Sequence, residues 1–293
     1  MNAQSGGGRA RGIRRRVEPY LRHLGFYGEI AEPRSADELR RQARAAVAAG
    51  FCMVAVLGGD GTFQQLVRAT LGSNITLGLI PAGAGNDVAA ALGIPADPAE
   101  AVRVLMTGAP RPLDIVRARF ETGEIAHYVG GGGLGLDAES ARLANGRLRR
   151  VPGAARYIAG ALWALATFRP YLVEAELDGQ RLARAPALLT AVANTPTYGA
   201  GIRIAPGAAI DDGELDVVFV EAVRWTRLVE MIPVMLQTGD IRGREIRRYR
   251  ARRVRLEADR PTIFHGDGEL LGVTPVEIEC LPGAVRVIAP PAP

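Results

Sequence analysis

Val54-Ala55-Val56-Leu57-Gly58-Gly59-Asp60-Gly61-Thr62 decides how this chain reads. Phe51–Leu57 is a compact apolar run that predicts a buried strand, Gly58-Gly59 ends it, and Phe63–Leu71 continues with helical spacing. In open α/β sheets ligands gather outside the carboxyl ends of the strands. Glycines leave N–H groups uncovered and the helix start adds partial positive charge, so this turn favours a phosphate. Gly58, Gly59, Asp60, Gly61 and Thr62 are therefore candidate phosphate contacts. Asp60 would repel a phosphate unless Mg²⁺ lay between them, which makes it a candidate metal contact. The competing reading is a tight turn with Thr62 as helix cap, but such a turn needs neither three glycines nor an acid.

The next predicted strand, Thr76–Ile80, runs into a second glycine loop, Pro81-Ala82-Gly83-Ala84-Gly85-Asn86-Asp87. Asn86 or Asp87 can cap the helix that follows, predicted over Asn86–Leu92 and stopped by Gly93 and Pro95. Gly83, Ala84 and Asn86 join the candidate nucleotide contacts, because two glycine loops after successive strands can hold one nucleotide from both sides. Helices are also predicted over 13–24, 36–49 and Pro98–Thr107, with a short strand over Phe26–Ile30. Alternation of strand and helix implies a parallel sheet covered on both faces.

From about Pro112 the rhythm changes. Strands are expected over Leu113–Arg119, Ile125–Val129, Tyr171–Leu177, Ala187–Ala193, Glu214–Val220, Arg252–Glu257 and Val276–Glu279. Only Ala138–Ala144, Arg156–Thr167 and Arg224–Leu236 read as helices between them. The expected division is an α/β nucleotide-binding domain over 1–112, rejoined by 281–293, and a strand-rich, β-sandwich-like domain over 113–280 that takes the substrate.

Composition narrows the chemistry. The chain has 293 residues, 48% hydrophobic and 23% charged, enough to bury large cores. All 36 basic side chains are arginine, so Schiff-base chemistry and a lysine-dependent Walker loop are excluded. Cys52 and Cys280 each sit in an apolar run, where buried thiols are common, and lack zinc-ligand spacing. No run reaches the length of a membrane span, and no signal-peptide core is evident, so a cytoplasmic protein is expected. The net charge of +5 comes without interleaved aromatics or a recognition-helix pattern, which argues against nucleic acid as a partner.

The motifs together resemble the diacylglycerol kinase catalytic family of bacterial soluble lipid kinases and their sphingosine- and ceramide-kinase relatives. The resemblance rests on GGDGT, on PxGxGND followed by Leu92-Gly93-Ile94-Pro95, and on Leu113-Asp114-Ile115. It continues through Gly135-Leu136-Asp137-Ala138, Ile204-Ala205-Pro206, Asp212-Gly213-Glu214-Leu215-Asp216 and Asp267-Gly268-Glu269, in order along the chain. It implies an ATP-dependent kinase that phosphorylates a lipid hydroxyl. On the resemblance, the phosphate segment extends to Phe63 and Gln64, and Glu269 is the general base, with Asp267 as the alternative. The resemblance also implies a structural Mg²⁺ loop over 208–216, bound by the Asp212 side chain and the carbonyls of Ala209 and Glu214. Asp114 and Asp216 would extend it as a carboxylate network. The competing reading of that loop is an Asp-Gly hairpin turn.

Departures from the family pattern are equally concrete. Gln65 stands where an acid is usual, Ala84 replaces a threonine, and Gly130 replaces an asparagine. Asn2-Ala3-Gln4-Ser5-Gly6 resembles the loop that follows the family's first strand, so that strand is expected to be missing and the true start to lie upstream. A degenerate homologue that binds lipid or nucleotide without catalysis is one alternative function; an NAD kinase, which shares GGDGT, is another. Arginines at 147, 149, 150 and 156, next to the apolar Tyr157–Trp163, and again from Arg242 to Arg255 predict transient docking on an anionic membrane surface, with a solvated arginine-rich face as the competing reading. A homodimer is the general expectation.

Overall fold

The computed structural model describes residues 9–23, 28–148, 151, 159–160, 163–164, 167–197, 201–223, 225–239, 241 and 243–291. The chain divides into two compact units, one running to Asp114 and resuming at Pro282, the other Ile115–Leu281.

In the N-terminal unit, α1 (Arg9–His23) and α2 (Ala36–Ala48) precede β1 (Met53–Gly58), α3 (Asp60–Thr70), β2 (Thr76–Pro81), α4 (Asp87–Ala91) and α5 (Pro98–Thr107). β1 and β2 run parallel, with Leu57 opposite Ile80 and Gly58 opposite Pro81, so both glycine loops leave the same end of the sheet. The returning segment of β13 (Val276–Ala289) extends this sheet in parallel on the far side of β2, through Arg286 and Val287. α5 begins where Asp97 caps the amides of Ala99 and Glu100 and Pro98 fills the first turn, which needs no N–H there. Residues 28–30 carry no strand. The rest of the expected strand there, and the Asn2–Gly6 loop, lie outside the described residues.

The second unit is built from strands. These are the later part of β3 (Ala109–Phe120), β4 (Ile125–Tyr128), β5 (Gly131–Gly135), β6 (Tyr171–Leu177), β7 (Gln180–Ala193), β8 (Leu215–Glu221), β9 (Ile246–Ala251), β10 (Arg253–Ala258), β11 (Ile263–Gly266), β12 (Glu269–Val273) and the start of β13. Helices α6 (Leu136–Asn145) and α7 (Trp225–Gln237) accompany them. β7 spans two neighbourhoods: its first half pairs with β6, its second with β5 on one edge and β8 on the other. Alternate residues of these strands bury one core containing Tyr128, Leu134, Tyr171, Leu215, Leu256 and Phe264. The opposite face of β7 and β8 packs Ala191, Val218 and Val220 with Met231 of α7. Period-two burial on both faces gives the β-sandwich-like architecture expected from the sequence.

β5 is a strand of glycines and one leucine, every residue buried. A side chain at Gly132 would meet the His265 carbonyl at 2.5 Å, and one at Gly133 the Thr190 carbonyl at 2.3 Å. Only glycine allows the backbones of β7 and β11 to approach β5 so closely. Cys280 is buried as expected, whereas Cys52 is exposed, because it precedes β1 rather than lying within it. Among the described residues no helix is long and apolar enough to cross a membrane.

Candidate active site

The first glycine loop is tighter than its sequence suggests. α3 starts at Asp60, with Gly59 as its extended N-cap, so Asp60, Gly61 and Thr62 form the first helical turn. Thr62 is thus inside the helix rather than its cap. The amides of Thr62 and Phe63 return to the Gly59 carbonyl. A Cβ at Gly58 would meet the Thr62 side chain at 2.7 Å. Gly61 differs: it is exposed, and a Cβ there would meet nothing within 4 Å. Packing does not require glycine at 61, and the space beside it lies over the positive end of an eleven-residue helix.

The two glycine loops brace each other. A Cβ at Gly59 would lie 2.9 Å from the Gly83 Cα, and one at Gly83 2.6 Å from the Gly59 Cα. Asn86 sits in the left-handed region at φ 58° and makes no side-chain cap for α4. Its Oδ1 instead accepts from the Gly83 amide at 2.8 Å, and its Nδ2 donates to the Gly83 carbonyl at 3.2 Å. The cap comes from the other loop: Asp60 Oδ1 accepts from the Val88 amide at 3.1 Å. Burial, the largest cause, raises the Asp60 pKa, and the amides of Val88, Asp87 and Asn86 oppose it. Asp60 therefore ties the two glycine loops together with a carboxylate oxygen that the sequence reading assigns to a metal. Ala84 and Gly85 remain exposed at the tip.

Two expected phosphate contacts point elsewhere. Phe63 is wholly buried in the core, and its amide is spent on Gly59. Gln64 is 1% exposed, and both polar atoms of its side chain lack a hydrogen-bond partner. Their side chains line the helix's inner faces, because a helix starting at Asp60 rotates positions 63 and 64 away from solvent. Gln65, the substitute for an acid, is also buried and accepts from Arg40 Nη1 of α2.

In the second unit Glu269 opens β12, half-buried, directly after the Asp267-Gly268 turn. Asp267 and Gly268 both have positive φ, 50° and 80°, the pattern of a two-residue hairpin turn. The Asp267 carboxylate accepts the amides of Val129 at 2.8 Å, Gly130 at 2.9 Å and Gly131 at 3.2 Å. Its own amide donates to the Gly131 carbonyl. Those donors commit both oxygens, so Asp267 anchors the hairpin instead of serving as the alternative base. Gly130 suits this clamp: a Cβ there would press within 3.2 Å of Asp267 Oδ1 and Thr195 Oγ1. A second tie, His265 Nε2 to Asp137 Oδ2 at 2.8 Å, joins β11 to the start of α6. The sequence reading noted Asp137 only within a motif and missed His265, since β11 itself was not recognised.

The acidic loop before β8 carries a cation of its own. Asp212 Oδ1 accepts the Glu214 amide at 3.0 Å, an Asx-type turn, and its Oδ2 is paired with Arg250. Arg250 Nη2 also lies 3.0 Å from Glu214 Oε2. Asp216 stands directly opposite Arg250 across the β8–β9 ladder. Burial raises the Asp216 pKa first of all, Arg250 opposes that, and Asp212 and Glu214 add to it. With both Asp212 oxygens engaged and a guanidinium between the acids, this donor set does not suit a divalent ion. Ala209 is half-buried in the same loop. Asp114 belongs to the other unit, where it is 1% exposed and accepts the Gly283 amide at 2.7 Å. It secures the returning strand.

Of the basic clusters, Arg149, Arg150, Arg156 and Arg242 lie outside the described residues. Arg147 is exposed and stacks 5.6 Å from the ring of the exposed Trp163. In the second cluster Arg247 pairs with Glu221, Arg253 with Glu279, and Arg255 with Glu257 and Glu277. These strand-face ion pairs neutralise much of what the sequence presents as a basic run.

Comparison with known proteins places this architecture. The family described as diacylglycerol kinase catalytic domain matches residues 1–118, and the YegS C-terminal NAD kinase beta sandwich-like domain matches 132–289. A diacylglycerol kinase of Mycobacterium tuberculosis is 31% identical over 256 residues, covering 87% of this chain and 82% of that protein. A diacylglycerol kinase of Bacillus subtilis is 29% identical over 262 residues, covering 87% and 83%. The crystal structure of a diacylglycerol kinase from Bacillus anthracis superposes with a TM-score of 0.77 at 23% identity, covering 99% of this chain and 95% of that one. An NAD kinase from Archaeoglobus fulgidus in complex with ATP shares the fold more distantly, with a TM-score of 0.52 at 14% identity over 99% and 92% of the two chains. On the matched domains and the identity to the Mycobacterium tuberculosis enzyme, the chain belongs to the family of diacylglycerol kinases and YegS-like lipid kinases.

Proposed function

We propose that this kinase transfers the γ-phosphoryl group of ATP to a hydroxyl of diacylglycerol or a closely similar lipid. The observation that carries the nucleotide half is the open space beside Gly61 at the start of α3, with the second glycine loop braced against it. The amides of Asp60 and Gly61 belong to the helix's first turn, whose N–H groups have no acceptor within the helix. They bind phosphate oxygens, and the helix dipole adds to the attraction. Mg²⁺ enters with the triphosphate as part of the substrate. Asp60 holds the two loops in register, and Asn86 fixes the second loop's conformation.

Glu269 is the general base. Its carboxylate takes the proton of the lipid hydroxyl as that oxygen attacks the γ-phosphorus. The bond from phosphorus to the bridging oxygen breaks, ADP leaves with the electron pair, and the product is a phosphorylated lipid. Most of the barrier is lowered by positioning and by charge neutralisation around the phosphoryl group. Asp267 and the His265–Asp137 pair hold the hairpin from which Glu269 projects. An acceptor embedded in a bilayer requires docking at a membrane surface, on the cytoplasmic face where ATP is available. The exposed Trp163 with Arg147 beside it has the amphipathic character of an interfacial contact.

Labelled ATP supplied with diacylglycerol, ceramide, a sphingoid base, phosphatidylglycerol and NAD⁺ tests the reading. Label should enter the lipid fraction, most strongly with diacylglycerol, and Glu269→Ala should lower the rate by about 10²–10⁴-fold. Label in NAD⁺ alone, or no transfer to any acceptor, would remove the assignment. Equal rates for the variant and its parent would take the base role from Glu269.

A further inference from the structure

We infer that Arg250 is a built-in counter-ion for the acidic loop before β8, so that this loop is held together without a divalent metal. The loop presents three carboxylates in five residues, Asp212, Glu214 and Asp216. Taken alone, such spacing resembles an oxygen-ligand cation loop. The fold supplies something else. β9 pairs antiparallel with β8, and the register sets Arg250 directly across from Asp216. Residues facing each other across a ladder project from the same side of the sheet, so the guanidinium is delivered to the acids by strand pairing.

Arg250 then reaches past its direct partner. It pairs with Asp212 Oδ2 and lies 3.0 Å from Glu214 Oε2, both through Nη2. Asp212 Oδ1 is meanwhile held by the Glu214 amide at 3.0 Å. Both oxygens of Asp212 are thus engaged, one by an amide and one by the guanidinium. A divalent cation would have to displace the guanidinium and then sit close to its charge. An oxygen-rich loop that binds Mg²⁺ must collect ligands from six directions, keeping some as water. Here one guanidinium nitrogen of the arginine, Nη2, bridges two carboxylates instead.

The consequence concerns the protein's response to metal, whatever lipid it phosphorylates. The loop before β8 should be indifferent to Mg²⁺ and to chelators, and its cohesion should not depend on either. Thermal unfolding of the nucleotide-free protein in EDTA and in millimolar Mg²⁺ or Ca²⁺ reads this directly, with Arg250→Met and Asp212→Asn as variants. The parent should melt at the same temperature in all three buffers. Arg250→Met should melt lower in EDTA and regain part of the loss in Mg²⁺ or Ca²⁺, because its loop now lacks a cation. A parent protein stabilised by Mg²⁺, with the gain abolished in Asp212→Asn, would overturn the inference. Stabilisation that persists in Asp212→Asn places the ion elsewhere and supports it. A folded Arg250→Met variant that ignores both ions would overturn the counter-ion role. Should that variant fail to fold, metal analysis of the purified parent decides. Stoichiometric magnesium lost in Asp212→Asn contradicts the inference, and its absence from the parent upholds it.

Discussion

Gly59 and Gly61 stand two residues apart in the same loop, and the structure assigns them opposite sensitivities. At Gly59 a methyl group would lie 2.9 Å from the Gly83 Cα, a backbone atom that cannot swing aside. Gly59→Ala should therefore cost about 1–3 kcal/mol through overpacking, and it should loosen both loops. At Gly61 the methyl group enters open space inside the first turn of α3. Alanine is favoured over glycine in a helix by about 0.5–1 kcal/mol, so Gly61→Ala should leave stability unchanged or slightly raised. The same methyl group fills the approach to the Asp60 and Gly61 amides. A hydrogen bond to a charged group contributes about 1.5–3 kcal/mol, so losing one should weaken ATP binding by roughly 10–100-fold. Urea unfolding of both variants, with isothermal calorimetry of MgATP binding, separates the cases. Gly61→Ala should be stable and poor at binding; Gly59→Ala should be poor at both. A Gly61→Ala variant that binds ATP like its parent would refute the reasoning, because the open space would then have no role in phosphate binding.

Other outcomes follow from single contacts. Asp267→Ala strands the amides of Val129, Gly130 and Gly131, so it should lower stability by about 2–4 kcal/mol in urea unfolding; a loss below half a kilocalorie would show that the clamp is not formed. Asp60 has its folded pKa raised by burial, so its contribution to stability is largest below the unfolded carboxylate's pKa and declines as pH rises through the folded value. Asp60→Asn, which keeps the acceptor for the Val88 amide, should match or exceed the parent's stability at neutral pH and lose that advantage in acid; a variant less stable at neutral pH and not in acid would contradict the assignment. Gln64→Met replaces a buried, unpartnered amide with an apolar chain of similar size, and its urea midpoint should rise. A falling midpoint would mean that the amide is hydrogen-bonded.

The sequence carried the N-terminal unit well because its elements announce themselves locally. Asp97-Pro98 and Gly108 bracket α5 by capping chemistry, and the apolar run of β1 ends at Gly58 and that of β2 at Pro81. The second unit was harder for a reason that β5 makes plain. Gly131–Gly135 has almost no side chains to show an alternating pattern, yet it is a fully buried strand because two neighbouring backbones need the room. Missing β5 also hid β11, which pairs with it, and with β11 the His265–Asp137 tie. Candidate residues were legible as motifs, but their tasks were not. Asp60, Asp267 and Asp212 are all acids next to glycine, and each was first read as metal- or proton-handling. The structure commits them to a helix cap, a three-amide clamp and an arginine pair. Arg250 could be found only through the β8–β9 register, which no local signal encodes.

Hydrogen exchange of the loop amides on adding MgATP bears most directly on the claim that the two glycine loops hold the triphosphate. In the free protein, the amides of Asp60 and Gly61, which precede the helix's own hydrogen bonds, should exchange quickly. With saturating MgATP they should become protected, together with peptides across Gly83–Asn86, while β6 and β10 stay as they were. Unchanged exchange at both loops in a sample shown to bind ATP would contradict the account, since the nucleotide would then be held somewhere else.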